Sequence, residues 1–168
     1  MLDKIEFVKP GDIEARSMEI IAGELGETDW KEPEFSVVRR CIHTSADFEY
    51  NVNLRFSEEA CKKGIRALRA GADIVTDTRM AMSGINKRRL AEYGGQVHCF
   101  IDDETVIKEA KERGVTRSAI CMERGAAIEK PVVFAIGNAP TALIRLYELV
   151  ESGAVKPELV IGVPVGFV

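Results

Sequence analysis

The order of apolar and polar positions along the chain predicts a series of short, alternating elements. Ile13, Ile20, Ile21 and Leu25 recur at helical spacing behind Asp12, a residue suited to capping, with Glu14 placed well for the helix dipole. Phe35, Val38, Cys41, Ile42 and Ser45 step by three and four, so a second helix is expected over Glu34–Ser45, opened by Pro33. That spacing puts Arg39 and His43 on one face. From Ser57 the pattern becomes regular. A helix runs from Ser57 to about Gly71, followed by an apolar strand, Asp73–Asp77. A helix through Met82, Ile85 and Leu90 stops at Gly94-Gly95, and Val97–Ile101 reads as the next strand. Glu104–Arg113 is a helix closed by Gly114, and Ser118–Ile128 reads as further helical residues, with room for a short strand. Val132–Ile136 is a strand, Thr141–Glu151 a helix ending at Gly153, and Leu159–Val163 a final strand.

Short apolar strands alternating with amphipathic helices imply a parallel sheet buried on both faces, hence a three-layer α/β/α fold. The expectation is one domain over residues 1–168. Its N-terminal helical segment, 1–56, carries His43 and packs on the sheet, and the alternating region is 57–168. Such sheets bind ligands beyond the carboxyl ends of their strands. The loops Thr76–Met80, Asp102–Asp103, Ile136–Thr141 and Pro164–Gly166 are therefore where chemistry is expected.

Composition narrows the class. With 168 residues, 46% hydrophobic and 30% charged, the chain matches an ordinary globular domain able to bury a core. No apolar run approaches the roughly 20 residues of a membrane span. The start, Met1 to Glu6, lacks the basic end and apolar stretch of a signal peptide, which points to the cytoplasm. A formal net charge of −4 argues against nucleic-acid binding but allows a local arginine pocket for an anionic small molecule. Cys41, Cys61, Cys99 and Cys121 are widely spaced without a Cys-x-x-Cys pair, so they read as free thiols rather than metal ligands.

Several residues could carry chemistry. Gly137-Asn138-Ala139-Pro140-Thr141 joins a strand to a helix, and free N–H groups there would suit a carboxylate or phosphate; an ordinary strand-to-helix turn reads the same way. Arg16, Arg39, Arg40 and Arg117 would bind a polycarboxylate if they converge, and are otherwise solvated surface groups. His98, inside an apolar strand, reads as structural. His43 stands near a helix end beside Thr44, Ser45 and Asp47, with Arg39 one turn back; the helix end favours imidazolium and the arginine opposes it. Spacing alone does not make His43 catalytic. Cys41 is two positions away and points to a different side, and no Gly-x-Ser-x-Gly elbow is present.

Five segments occur in a telling order: Arg40-x-Ile42-His43-Thr44-x-Ala46-Asp47, Gly71-Ala72-Asp73-Ile74-Val75-Thr76-Asp77-x-x-Met80, Gly114-x-Thr116-Arg117, Ala135 to Leu143, and Pro157-x-Leu159-Val160-Ile161-Gly162-x-Pro164-Val165-Gly166-Phe167-Val168. Together with Ile13-Glu14-x-Arg16-Ser17, they resemble the precorrin-8X methylmutase / cobalt-precorrin-8 methylmutase family across nearly the whole chain. The resemblance implies a flavodoxin-like fold and a homodimer. It also implies an intramolecular methyl shift from carbon 11 to carbon 12 of a tetrapyrrole-derived ring, giving hydrogenobyrinate or its cobalt form, without a cofactor. It makes His43 the acid–base residue. Ser17, Arg16, Arg40, Thr44, Asp77, Met80, Thr116, Arg117 and Asn138 become the expected substrate contacts. Family members continue past Gly-Phe-Val into a Glu-Ser-Lys segment, a strand, a Gly-Gly-Ser loop and a helix, which this sequence lacks. The alternative it leaves open is a corrinoid-binding carrier without turnover. A receiver-like regulatory domain would instead use Asp77, Asp102 and Asp103 to bind magnesium.

Overall fold

The computed structural model describes residues 7–166. Met1 to Glu6, read above for a leader, and Phe167-Val168, which close the last family segment, lie outside the described residues. The chain divides into two units, residues 1–61 and 62–168.

In the first unit, Pro10–Asp12 forms a 3-10 turn leading into α1 (Ile13–Leu25). Asp12 holds the capping position, but its side chain makes no capping hydrogen bond, contrary to the sequence expectation. The preceding turn explains this: it leaves Asp12 in a helical conformation (φ −104°, ψ −8°), whereas a capping residue is normally extended. Helix α2 spans Glu34–Ser45 as its apolar spacing predicts. A short helix that periodicity did not reveal, α3 (Tyr50–Asn53), follows after Asp47 Oδ1 accepts from the Glu49 amide at 2.8 Å. Ile21, Val38 and Ile42 form the core, with Leu25, Trp30, Tyr50, Leu54 and Phe56 packed around them. Trp30 meets Phe56 edge-to-face at 5.4 Å and donates from Nε1 to the Asn51 carbonyl at 2.9 Å, so its polar end is satisfied as its ring is covered.

The second unit holds the sheet. Strands β1 (Asp73–Thr76), β2 (Val97–His98), β3 (Val132–Ile136) and β4 (Leu159–Gly162) lie in the order β2-β1-β3-β4, all parallel. That is the order in which flavodoxin-like sheets begin. Its helices are α4 (Ala60–Arg69, beginning at the unit boundary), α5 (Arg79–Gly84), α6 (Lys87–Ala91), α7 (Glu104–Arg113), α8 (Arg117–Ala126) and α9 (Pro140–Glu151).

Alternate strand residues face opposite sides. Val75, Val132, Phe134 and Ile136 pack with Val106, Ile120, Met122, Ala142 and Leu146 from α7, α8 and α9. Ile74 and Val133 pack with Ala67 of α4 and Leu90 of α6 on the other face. Three layers result. A bidentate Arg113–Glu123 pair (2.6 and 2.8 Å), joined by Arg145–Glu123 at 2.8 Å and Arg124–Glu109 at 2.6 Å, ties α7, α8 and α9 together at their surface.

Three departures from the pattern-based reading have a local cause, besides shifts of one or two residues at other element ends. The first helix of the alternating region starts at Ala60 rather than Ser57, because Glu59 takes a left-handed conformation (φ 56°) that helix geometry does not allow. The helix through Met82 and Leu90 breaks at Ile85, and Asn86 opens a new one by accepting from the Arg89 amide at 2.9 Å. Strand β2 is only two residues long, since Phe100 and Ile101 leave the sheet edge to pack against the α7–α9 core.

Candidate active site

In the first unit, His43 stands in the last turn of α2, which ends when Ala46 adopts a left-handed conformation (φ 56°) and bonds its amide to the Ile42 carbonyl at 2.7 Å. Helix α1 presents Ser17 to it. The Ser17 hydroxyl lies 2.7 Å from His43 Nδ1. Among the described residues Nε2 has no protein partner, so it is the nitrogen left for a ligand. Both side chains line an open cavity of about 550 Å³, with Arg16 and Glu24 as its charged walls and Ile20 and Phe48 among its apolar ones.

The other expected contacts of this unit are partly committed. Arg40 pairs with Glu14, and this guanidinium is what holds the Glu14 carboxyl below the ordinary carboxylate range. Arg16 reaches Glu19 at 3.4 Å. Thr44 returns its hydroxyl to the Arg40 carbonyl at 2.9 Å. Arg39, expected to share a face with His43, turns its guanidinium onto the Phe35 ring (4.5 Å) and to Glu32 (2.9 Å). Sequence reasoning gave Glu14 a part only in the helix dipole and the opening motif, not a place beside the site. The signal for that place was the position of Glu14 one turn before Ser17 on α1, which puts both on the face toward α2.

In the second unit, the strand order reverses between β1 and β3, where sheets of this class bind ligands. The free amides expected at Gly137–Ala139 are not free. Asp77, wholly buried, accepts from the amides of Gly137 (3.0 Å), Asn138 (2.9 Å) and Ala139 (2.7 Å). The protein's own carboxylate therefore occupies the position a ligand carboxylate or phosphate would take. The loop is braced on its other side by Val165, whose amide donates to the Asn138 carbonyl at 3.1 Å, and the Asn138 side chain is exposed.

This arrangement also removes the basis for a receiver-like acidic cluster. Both Asp77 oxygens are engaged, and Asp102 is paired with Arg79 at 2.8 Å. Among the described residues no group of three His, Cys, Asp or Glu could hold a metal ion.

Met80 stands near the start of α5 and is 73% exposed, a bare apolar surface beyond the end of β1. Thr116 caps α8 by accepting from the Ala119 amide at 3.2 Å and donates to Thr141 at 2.9 Å. Arg117, exposed, reaches the Ile101 carbonyl at 3.3 Å. These two residues therefore sit against the segments that leave β3 and β2.

His98 is held by its neighbours. It lies 2.8 Å from Asp73, which also takes Lys130 at 3.0 Å and the Gln96 amide at 3.0 Å, at the amino end of β1 away from the ligand-binding edge. The thiols match the sequence reading of free cysteines: Cys99 and Cys121 are buried, and burial pushes Cys121 up to about 12. A thiol so displaced is inert at neutral pH.

The family model described as precorrin-8X methylmutase matches residues 12–168. A cobalt-precorrin-8 methylmutase of Priestia megaterium is 43% identical over 161 residues, covering 96% of this chain and 72% of the relative. A precorrin-8X methylmutase of a Sinorhizobium species is 34% identical over 168 residues, covering 99% of this chain and 80% of the relative. Among solved structures, the precorrin-8X methyl mutase from Thermus thermophilus superposes with a TM-score of 0.83 at 37% identity, over 94% of this chain and 76% of its own. No helix among the described residues is long and apolar enough to cross a membrane.

Proposed function

This chain belongs to the precorrin-8X methylmutase family, isomerases of cobalamin biosynthesis, and on that premise we propose that it moves a methyl group from carbon 11 to carbon 12 of precorrin-8X or cobalt-precorrin-8, with His43 as the acid–base group. The observation that carries the role of His43 is its 2.7 Å contact with Ser17 through Nδ1, which leaves Nε2 beside the cavity. The substrate is a flat macrocycle fringed with carboxylates. A proton from His43 Nε2, placed on a ring nitrogen, draws electrons from the neighbouring carbon and eases migration of the methyl group. The Nε2–H bond breaks and a ring N–H bond forms; after migration the same proton returns to the electron pair on Nε2.

Arg16 lines the cavity, and Arg40 lies where a substrate carboxylate can compete with Glu14 for its guanidinium. Thr44 adds a hydroxyl to the same helix end. In the second unit Thr116, Arg117 and Asn138 are the polar contacts we expect, and Met80 the apolar one. Asp77 acts on the ligand through the loop it holds. Residues 1–168 would serve as one catalytic domain, working as a homodimer in the cytoplasm.

The test supplies purified protein with precorrin-8X and follows the visible spectrum. Wild type is expected to turn substrate over, and His43→Ala to lose about 10²–10⁴ in kcat, the usual worth of general acid–base catalysis. Unchanged kcat in His43→Ala would refute the role of His43. Binding without turnover in wild type would refute the enzymatic reading.

A further inference from the structure

We infer that Ser17 is a positioning residue whose hydroxyl holds His43 by Nδ1 in both protonation states, so that Nε2 alone exchanges the proton. This rests on the methyl-shift reading, in which His43 must give up a proton and recover it. The partner at Nδ1 determines whether that is easy. A carboxylate there accepts only, and favours the imidazolium. A backbone carbonyl accepts only, and fixes the Nδ1–H form. A hydroxyl both donates and accepts. At 2.7 Å, Ser17 Oγ can donate to Nδ1 of a neutral ring carrying its proton on Nε2. It can equally accept from Nδ1–H of the imidazolium, and from Nδ1–H of the neutral ring left after Nε2 has passed its proton to the substrate. The contact survives every step, and the ring keeps one orientation.

Charged groups on both helices surround this neutral partner. From α1 the ring is approached by Glu14, which is near enough to interact electrostatically, while Arg16 and Glu24 line the same cavity. From α2, Arg40 neutralises Glu14. Beyond the helix end, the Asp47 carboxylate is turned to the Glu49 amide at 2.8 Å. No carboxylate is hydrogen-bonded to His43 among the described residues.

Three variants test the inference by two readouts. The first is titration of the His43 ring by long-range ¹H–¹⁵N NMR, distinguished from His98 by the signals lost in His43→Ala. The second is the pH profile of kcat and KM. Ser17→Thr, which keeps the hydroxyl, is expected to stay within about threefold of wild type in kcat. Ser17→Ala should lose about tenfold or more in kcat with KM nearly unchanged, the pattern of an interaction that serves the transition state. Ser17→Asp should raise the His43 titration midpoint by about one unit, a tenfold shift in its proton affinity, and move the kcat profile with it. A raised KM with unchanged kcat in Ser17→Ala would instead leave Ser17 as the substrate contact that the family resemblance implies, and overturn its positioning role. An unmoved His43 midpoint in Ser17→Asp would show that the pair does not form. The NMR measurement needs no substrate, so it judges the Ser17–His43 pair even if the methyl-shift reading fails.

Discussion

Replacing Asp77 by asparagine tests whether this carboxylate supports the loop after β3 or reaches the ligand itself. Its Oδ2 accepts from Asn138 and Ala139 at 2.9 and 2.7 Å, and its Oδ1 from Gly137 at 3.0 Å. Asparagine keeps one acceptor oxygen. With that oxygen toward Asn138 and Ala139, the amide group faces the Gly137 N–H donor to donor, and the two remaining bonds lose their charge. A hydrogen bond to a charged group contributes about 1.5–3 kcal/mol, and bonds sharing one acceptor do not add. The expected loss for Asp77→Asn is therefore about 2–4 kcal/mol. Guanidinium chloride unfolding followed by circular dichroism measures it. With a slope of ~4 kcal/mol per M the midpoint falls by about 0.5–1 M. Amides of Gly137 to Ala139 should exchange faster with solvent. A stability within about 0.5 kcal/mol of wild type, together with a raised KM, would refute the structural role and return Asp77 to the substrate.

Two further perturbations follow from the second unit. Burial of Asp73 works to raise its pKa, but His98, Lys130 and the Gln96 amide outweigh that effect and hold the carboxyl below its ordinary value. A lowered folded-state pKa gives stability that is complete above the unfolded carboxylate range and lost as pH falls through the folded value; the stability gap between wild type and Asp73→Asn should thus be full above about pH 4 and close in stronger acid. A gap independent of pH in denaturant titrations would contradict this. Gly125 on α8 has no room for a methyl group: a Cβ would lie 2.8 Å from Phe134 Cε1 and 2.9 Å from Val75 Cγ1, both in fully buried side chains. Gly125→Ala should cost about 1–3 kcal/mol and lower Tm by about 3–9 °C in calorimetry, and an unchanged Tm would show that the helix moves away from the sheet freely.

Much of the fold was legible because periodicity reports burial directly. Glu34–Ser45, Glu104–Arg113 and Val132–Ile136 have the boundaries that their apolar spacing predicts, since each buries one continuous stripe or run. The pattern failed where a single residue's geometry overrides the average. Glu59, Asn86 and the short pairing of β2 are cases of that kind. The parallel sheet itself followed from helices alternating with strands, and the family from five ordered segments.

The site divides along the same line. Linear order alone identifies His43 as a histidine at a helix end and marks Ser17 as a residue of the opening helix, because both depend on local spacing and local motif. That the two meet at 2.7 Å, 26 positions apart, depends on how α1 packs on α2. Likewise the glycine-bearing turn at 137–141 reads from the sequence as an anion site or an ordinary strand-to-helix turn alike, because its backbone donors can be counted there while their acceptor, Asp77, lies 60 residues earlier. Which donor finds which acceptor is a property of packing in three dimensions. Sequence by itself determined most of the elements, the parallel sheet and the family; only the tertiary structure decided that Nδ1 of His43 belongs to Ser17, and that the amides after β3 belong to the protein's own carboxylate.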